Sequence, residues 1–107
     1  MAGNVKTLTD ANFQETIKSG VTLVDFWATW CPPCQMQGPI VEKLADAFNG
    51  SATVGKIDVD ENQAAARQFG VANIPTLILF KDGKEVGRMV GLQQEAALTG
   101  AINNALK

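Results

Sequence analysis

"VTLVDFWATWCPPC", residues 21–34, begins as an apolar run and ends in a cysteine pair. Residues 21–28 are apolar on both alternating faces, the pattern of a central strand covered on each side. The chain then passes Trp27 and Trp30, meets Cys31 and turns into a helix. Pro32 and Pro33 suit that turn, because the first N–H groups of a helix have no partner within it. The fragment therefore predicts strand, cysteine and helix N-terminus in succession.

This order gives the cysteines their chemistry. Cys31 falls at the helix N-terminus, where unpaired N–H groups and the helix dipole favour negative charge. Cys34 lies one turn further on the same side, within bridging reach. A thiol with pKa near 8.5 is about 3% ionised at pH 7, and a fall to about 7, a value known for tuned Cys-X-X-Cys pairs, makes it half ionised. Nucleophilicity declines with pKa and returns about fivefold of that gain. Roughly a threefold advantage remains by this arithmetic, so most of the benefit must come from holding two sulfurs together. Metal binding is the chemical rival, but zinc or an iron–sulfur cluster takes about four Cys or His ligands. This chain has two Cys and no His. An inert structural disulfide closing so small a loop is the other alternative. No metal and no cofactor is expected.

Outward from this stretch, strands and helices alternate. Residues 5–8, "VKTL", read as a short strand. A helix from about Ala11 to Lys18 follows, with Asp10 as its N-cap and Gly20 as its stop. After the cysteines, Ile40, Val41, Leu44, Ala45 and Phe48 recur as one buried helix face that ends at Asn49-Gly50. Pro39 falls inside this helix and should bend it. Residues 52–59, "ATVGKIDV", form another strand. Asp60 with Gln63 resembles a capping arrangement for a short helix ending at Gly70. "TLILF" (76–80) and "EVGRMV" (85–90) flank Asp82-Gly83, a strong hairpin signal. A last helix places Ala97, Leu98, Ala101, Ile102, Ala105 and Leu106 on one face. The order βαβαβα then ββα, without repeat or linker, predicts one α/β domain over residues 1–107. Its mixed sheet carries helices on both faces.

Composition sets limits on function. Of 107 residues, 46% are apolar and 19% charged, as in a globular chain able to bury a core without a disulfide. A net charge of −2 supplies no field to attract nucleic acid or an anionic membrane. "MAGNVKTLTD" lacks the apolar run of a secretory signal, and no stretch approaches the ~20 apolar residues of a membrane span. If Met1 is the natural start, the expected location is the cytoplasm, where a cysteine pair is reactive more often than structural.

Three residues outside the cysteines stand out. Asp25 sits in "LVDFW", six residues before Cys31. If buried, its carboxyl should hold a proton to higher pH and be suited to exchange one with a nearby thiol. If the strand at 21–28 were an edge strand, the same residue would face water. Lys56 in "VGKID" is either its partner or a strand-end lysine in solvent. Pro75 in "NIPT" directly precedes a strand, and physics alone favours a trans bond before it.

"VDFWATWCPPC", "PIVEKLA", "VGKIDVDEN", "FGVANIPTLILFKDG" and the "VG" at 90–91 together resemble the thioredoxin family along essentially the whole chain. The resemblance implies the thioredoxin fold and a protein-disulfide reductase. Cys31 would be the exposed nucleophile that forms a mixed disulfide, and Cys34 the sulfur that resolves it. Asp25 would be the buried acid serving Cys34, with Lys56 beside it and Pro75 a cis-proline facing the cysteines. Trp30, Ile74, Pro75 and Gly91 would line a shallow apolar substrate groove, with Pro32 and Pro33 also touching substrate. The implied partners are proteins bearing disulfides and an electron-donating reductase, met by a monomer. The alternative is a binding module that uses the same groove and is gated by redox state. Two departures matter: Pro32 replaces the usual glycine, and Gln35 stands where a basic residue often follows. If the N–H missing at Pro32 would have reached Cys31, its loss costs about 1.5–3 kcal/mol of thiolate stabilisation. Together with the stiffness of Pro32, this predicts a disulfide harder to reduce.

Overall fold

The computed structural model describes residues 3–107. Along the chain run β1 (Lys6–Leu8), α1 (Phe13–Ile17), β2 (Val21–Trp27), α2 (Pro32–Ala47), β3 (Thr53–Asp58) and α3 (Gln63–Gln68), followed by β4 (Thr76–Lys81), β5 (Lys84–Val90) and α4 (Glu95–Leu106). The strands form one five-stranded sheet in the order β1-β3-β2-β4-β5. β1, β3 and β2 are parallel, while β4 and β5 continue antiparallel. This is the thioredoxin fold, with β2 hydrogen-bonded on both sides.

Alternation along β2 explains why both faces of that strand had to be apolar. Val21 and Leu23 point to one face, with Leu77, Leu79 and the inner sides of α2 and α4, including Val41, Leu44, Leu98 and Ile102. Val24 and Phe26 point to the other, with Phe13 and Ile17 of α1 and Ala65 of α3. Phe13 meets Phe26, Phe69 and Phe80 there at centroid separations of 5.6–6.1 Å, within the range of tilted and edge-on aromatic contacts. At the middle of β3 only a glycine lets β1 approach. A Cβ on Gly55 would lie 3.0 Å from the Lys6 carbonyl oxygen and 3.1 Å from Leu8 Cγ. The hairpin falls at Asp82-Gly83, both with positive φ (50° and 86°), as a primed turn requires. α2 passes through Pro39 as one helix of 16 residues.

Three local expectations change. Asp10 does not cap α1, which starts at Phe13 with Asn12 before it. Its carboxylate reaches across the fold and accepts from the N–H groups of Ala64 (3.2 Å) and Ala65 (3.1 Å), capping α3. Asp60 and Gln63 form no capping box, because α3 begins only at Gln63 and the Asp60 carboxylate is turned to Trp30. On α4, Leu98 and Ile102 are buried, but Ala97 and Leu106 are exposed. Ala97 is rotated about 100° off the Leu98 line, and Leu106 sits in a last turn that has no element beyond it.

Candidate functional site

β2 delivers the chain to the cysteines at the C-terminal end of the sheet's central strand. Cys31 has extended backbone (φ −96°, ψ 108°) and is the N-cap of α2, so Pro32 and Pro33 occupy the first two helical positions and Cys34 the third. Cys31 and Cys34 are joined as a disulfide, with 5.2 Å between their Cα atoms. The Cys34 N–H donates to Cys31 Sγ at 3.2 Å, in the manner of a side-chain cap. This contact bears on Pro32. N-cap side chains accept from the second or third helical N–H, whereas Pro32 is first, and the third is present and used. The donor that Pro32 was expected to remove is therefore supplied by Cys34.

Both cysteines are 3% exposed. For Cys31 this corrects the expected exposed nucleophile. Bonded to Cys34, its sulfur turns inward among Ala28, Trp27, Val59 and Ile74, and the Ile74 carbonyl oxygen lies 3.8 Å away. The Ile74–Pro75 bond is cis, as the resemblance implied and against the expectation from general energetics. Proline reduces the trans preference to about 0.5–1 kcal/mol, a margin small enough for tertiary contacts to reverse. Pro75 is buried, and its carbonyl accepts from the Gly91 N–H at 2.8 Å. Gly91 has φ +89°, which only glycine adopts readily. Ile74 thus stands beside the disulfide, and Gly91 is tied to its neighbour Pro75. Trp30 is 66% exposed, and its indole N–H donates to Asp60 at 2.7 Å. Pro32 and Pro33 are exposed at the start of α2.

Asp25 is 3% exposed, which rules out the edge-strand reading. It lies on the face of β2 that α2 covers, and Cys34 lies on the inner side of α2. Its Oδ1 has no hydrogen-bond partner. Burial raises its carboxyl from the ordinary 3.8 to about 7, and the charge on Lys56 opposes this as the smaller effect. Lys56 is half-buried, with its Nζ 5.1 Å from the centroid of the Trp27 ring.

Two residues here escaped the sequence reading. Asp60 was assigned to a helix cap. Gln37, fully buried, binds the backbone of Gln93 through both ends of its amide. Its signal was in the sequence: position 37 falls between Cys34 and Val41 on the buried helix face, where a polar side chain requires a partner.

Among the described residues, no three His, Cys, Asp or Glu side chains converge as a metal site, and no helix is long and apolar enough to cross a membrane. One concavity of about 340 Å³, lined in part by Asn4, Gly20, Asn49 and Thr53, lies at the opposite end of the sheet. The residues that line it include neither cysteine.

The thioredoxin family model matches residues 4–104. The chain is 52% identical over 99 residues to a thioredoxin of Staphylococcus saprophyticus and to one of Staphylococcus haemolyticus, covering 92% of this chain and 95% of each relative. A Staphylococcus aureus thioredoxin is 48% identical over the same shares. Among solved structures, a mutant thioredoxin from Halobacterium salinarum NRC-1 superposes with a TM-score of 0.89 at 43% identity, covering 97% of this chain and 92% of that one.

Proposed function

This chain belongs to the thioredoxin family, and from that premise we propose that Cys31 and Cys34 carry two electrons from a donor dithiol to disulfides of substrate proteins. Thiol–disulfide oxidoreduction is the family's reaction and this chain's. The direction, the residue roles and the setting are our reading. The observation that carries it is the Cys31–Cys34 disulfide at a helix N-terminus, with Cys31 Sγ accepting the Cys34 N–H.

In the reduced protein, the Cys34 N–H and the helix dipole stabilise the Cys31 thiolate. That thiolate attacks one sulfur of the substrate disulfide. The substrate's S–S bond breaks, a mixed disulfide forms, and the first substrate thiolate leaves. Cys34 then gives its proton to Asp25, which is desolvated enough to hold one near neutral pH. The Cys34 thiolate attacks Cys31 Sγ, closing the Cys31–Cys34 bond and expelling the second substrate thiolate. Both departing thiolates are reprotonated, so the substrate gains two electrons and two protons and the dithiol loses them. Lys56 holds positive charge near Asp25 and limits the rise of its pKa.

Trp30, Ile74, Pro75 and Gly91, with Pro32 and Pro33 at the helix start, form the groove that receives the substrate chain. Pro32-Pro33 and Gln35 make this an atypical family site with a less positive rim. A reductase of unassigned identity restores the dithiol. We place the protein in the reducing cytoplasm, acting as a monomeric single domain over residues 1–107.

Cys31→Ser should abolish turnover of a protein disulfide, while Cys34→Ser should accumulate the mixed disulfide, read by mass spectrometry of the intact adduct. Turnover that survives Cys31→Ser would overturn the assignment. The direction is set by the reduction potential. A value below the cytosolic glutathione poise of about −220 to −260 mV marks a reductant, and a clearly higher value an oxidant or exchanger.

A further inference from the structure

Gln37 is wholly buried on a helix face otherwise given to Cys34, Val41, Leu44 and Ala45. An unpartnered amide there would be costly. Both its ends are satisfied by a single residue: Gln37 Nε2 donates to the Gln93 carbonyl at 3.0 Å, and the Gln93 N–H donates to Gln37 Oε1 at 2.8 Å. The side-chain amide thus pairs with backbone as a neighbouring strand would. It does so just where β5 has ended at Val90 and the sheet no longer holds the chain.

The segment held in this way is the one carrying Gly91. The Gln93 side chain turns back to donate to the carbonyls of Val90 (3.3 Å) and Gly91 (3.4 Å), while the Gly91 N–H donates to the Pro75 carbonyl (2.8 Å). A continuous set of hydrogen bonds therefore runs from Pro75 through Gly91 and Gln93 to Gln37, one turn beyond Cys34 on α2. The groove wall and the helix bearing the cysteines are tied together at this side chain.

We propose that Gln37 is a positioning residue for substrate docking, fixing the 91–93 corner at the height that a bound substrate chain requires. This rests on the groove and cysteine roles of the preceding reading. It adds a specificity element, since a protein disulfide must lie along the corner whereas a small aromatic disulfide need only reach Cys31. Gln37→Leu keeps the apolar volume but leaves the Gln93 N–H and carbonyl without their partner. The neutral acid of Gln37→Glu has one O–H donor and one acceptor and restores both bonds. Its ionised form has no donor and faces the Gln93 carbonyl.

The test starts from protein that has been reduced and freed of excess dithiol, and measures the single-turnover rate constant kcat and half-saturating concentration KM for insulin and for 5,5′-dithiobis(2-nitrobenzoate) from pH 5 to 9. For Gln37→Leu we expect the KM for insulin to rise roughly tenfold, with kcat falling less, and the insulin-to-small-disulfide ratio of kcat/KM to drop by a similar factor. For Gln37→Glu the ratio should be near wild type at low pH and fall as the carboxyl ionises. The ratio cancels the pH dependence of thiolate chemistry common to both substrates. A Gln37→Leu ratio within twofold of wild type, or equal losses on both substrates, overturns the proposal. If Gln37→Leu does not fold, a Gln37→Glu ratio that fails to follow pH overturns it alone. Failure of the wild-type protein to reduce insulin would instead strike the underlying reading, so the two failures are distinguishable.

Discussion

Asp25 of β2 and Lys56 of β3 stand opposite each other in the parallel ladder, yet their charges form no ion pair. The lysine extends over the Trp27 ring instead. The carboxyl is left buried with Oδ1 unbonded. A close ion pair would hold Asp25 ionised through the neutral range. The open arrangement lets burial dominate and brings its pKa to about 7. A proton acceptor that titrates near working pH follows from the failure of that pair to close.

That shift makes the oxidised protein's stability fall as pH rises. Once unfolded, Asp25 loses its proton near 3.8, whereas in the fold it keeps it to about 7. Between those values unfolding releases a proton, so raising pH favours the unfolded state. The loss amounts to roughly 4 kcal/mol by pH 8. Denaturant titrations at pH 4, 6 and 8 should show it, and Asp25→Asn should flatten the slope in that window. An equal slope in both proteins would contradict the assignment.

Asp10→Ala should destabilise the fold by about 1 kcal/mol through loss of a helix N-cap. The local unfolding should appear in α3, not in α1. Hydrogen exchange at Ala64 and Ala65, whose N–H groups the Asp10 carboxylate accepts, checks this directly. Faster exchange confined to residues 13–17 would contradict it.

Thr22 is fully buried in the central strand, and its hydroxyl has no partner. Valine has the same shape without the stranded polar atom. Thr22→Val should therefore gain about 1 kcal/mol, measured by urea unfolding of the oxidised protein. A loss of stability would mean that the hydroxyl is satisfied after all.

Pro32→Gly tests the proline pair. Because Cys34 supplies the N–H to Cys31 Sγ, the remaining effect of Pro32 is stiffness, worth about 0.4–1 kcal/mol. With 30 mV per 1.4 kcal/mol for two electrons, the glycine variant should have a potential higher by about 10–20 mV. Equilibration with dithiol buffers and counting of alkylated thiols reads it. A rise of about 30–60 mV would restore the lost-donor explanation, since it corresponds to about 1.5–3 kcal/mol.

Where the physics is local, the chain determined its own structure. The doubly apolar run at 21–28 could be buried only between two layers, and Asp82-Gly83 suits the tight turn that joins β4 to β5. Cys31, followed by two prolines that need no N–H partner, marks a helix start as plainly as an N-cap serine would. These outcomes depend on periodicity and backbone geometry within a few residues. Other outcomes depended on groups brought together from distant parts of the chain. Asp10 had a helix to cap three residues away, but reached one more than 50 residues on. Asp25 stands out in the sequence, but that Lys56 lies over Trp27 and forms no ion pair with it is visible only in the fold. The isomer of the Ile74–Pro75 bond had no local signature, and the position of Gln37 signalled the need for a partner without saying that Gln93 would be it. In each case a polar group's free energy was set by its partner and its exposure, and only the tertiary fold decides both.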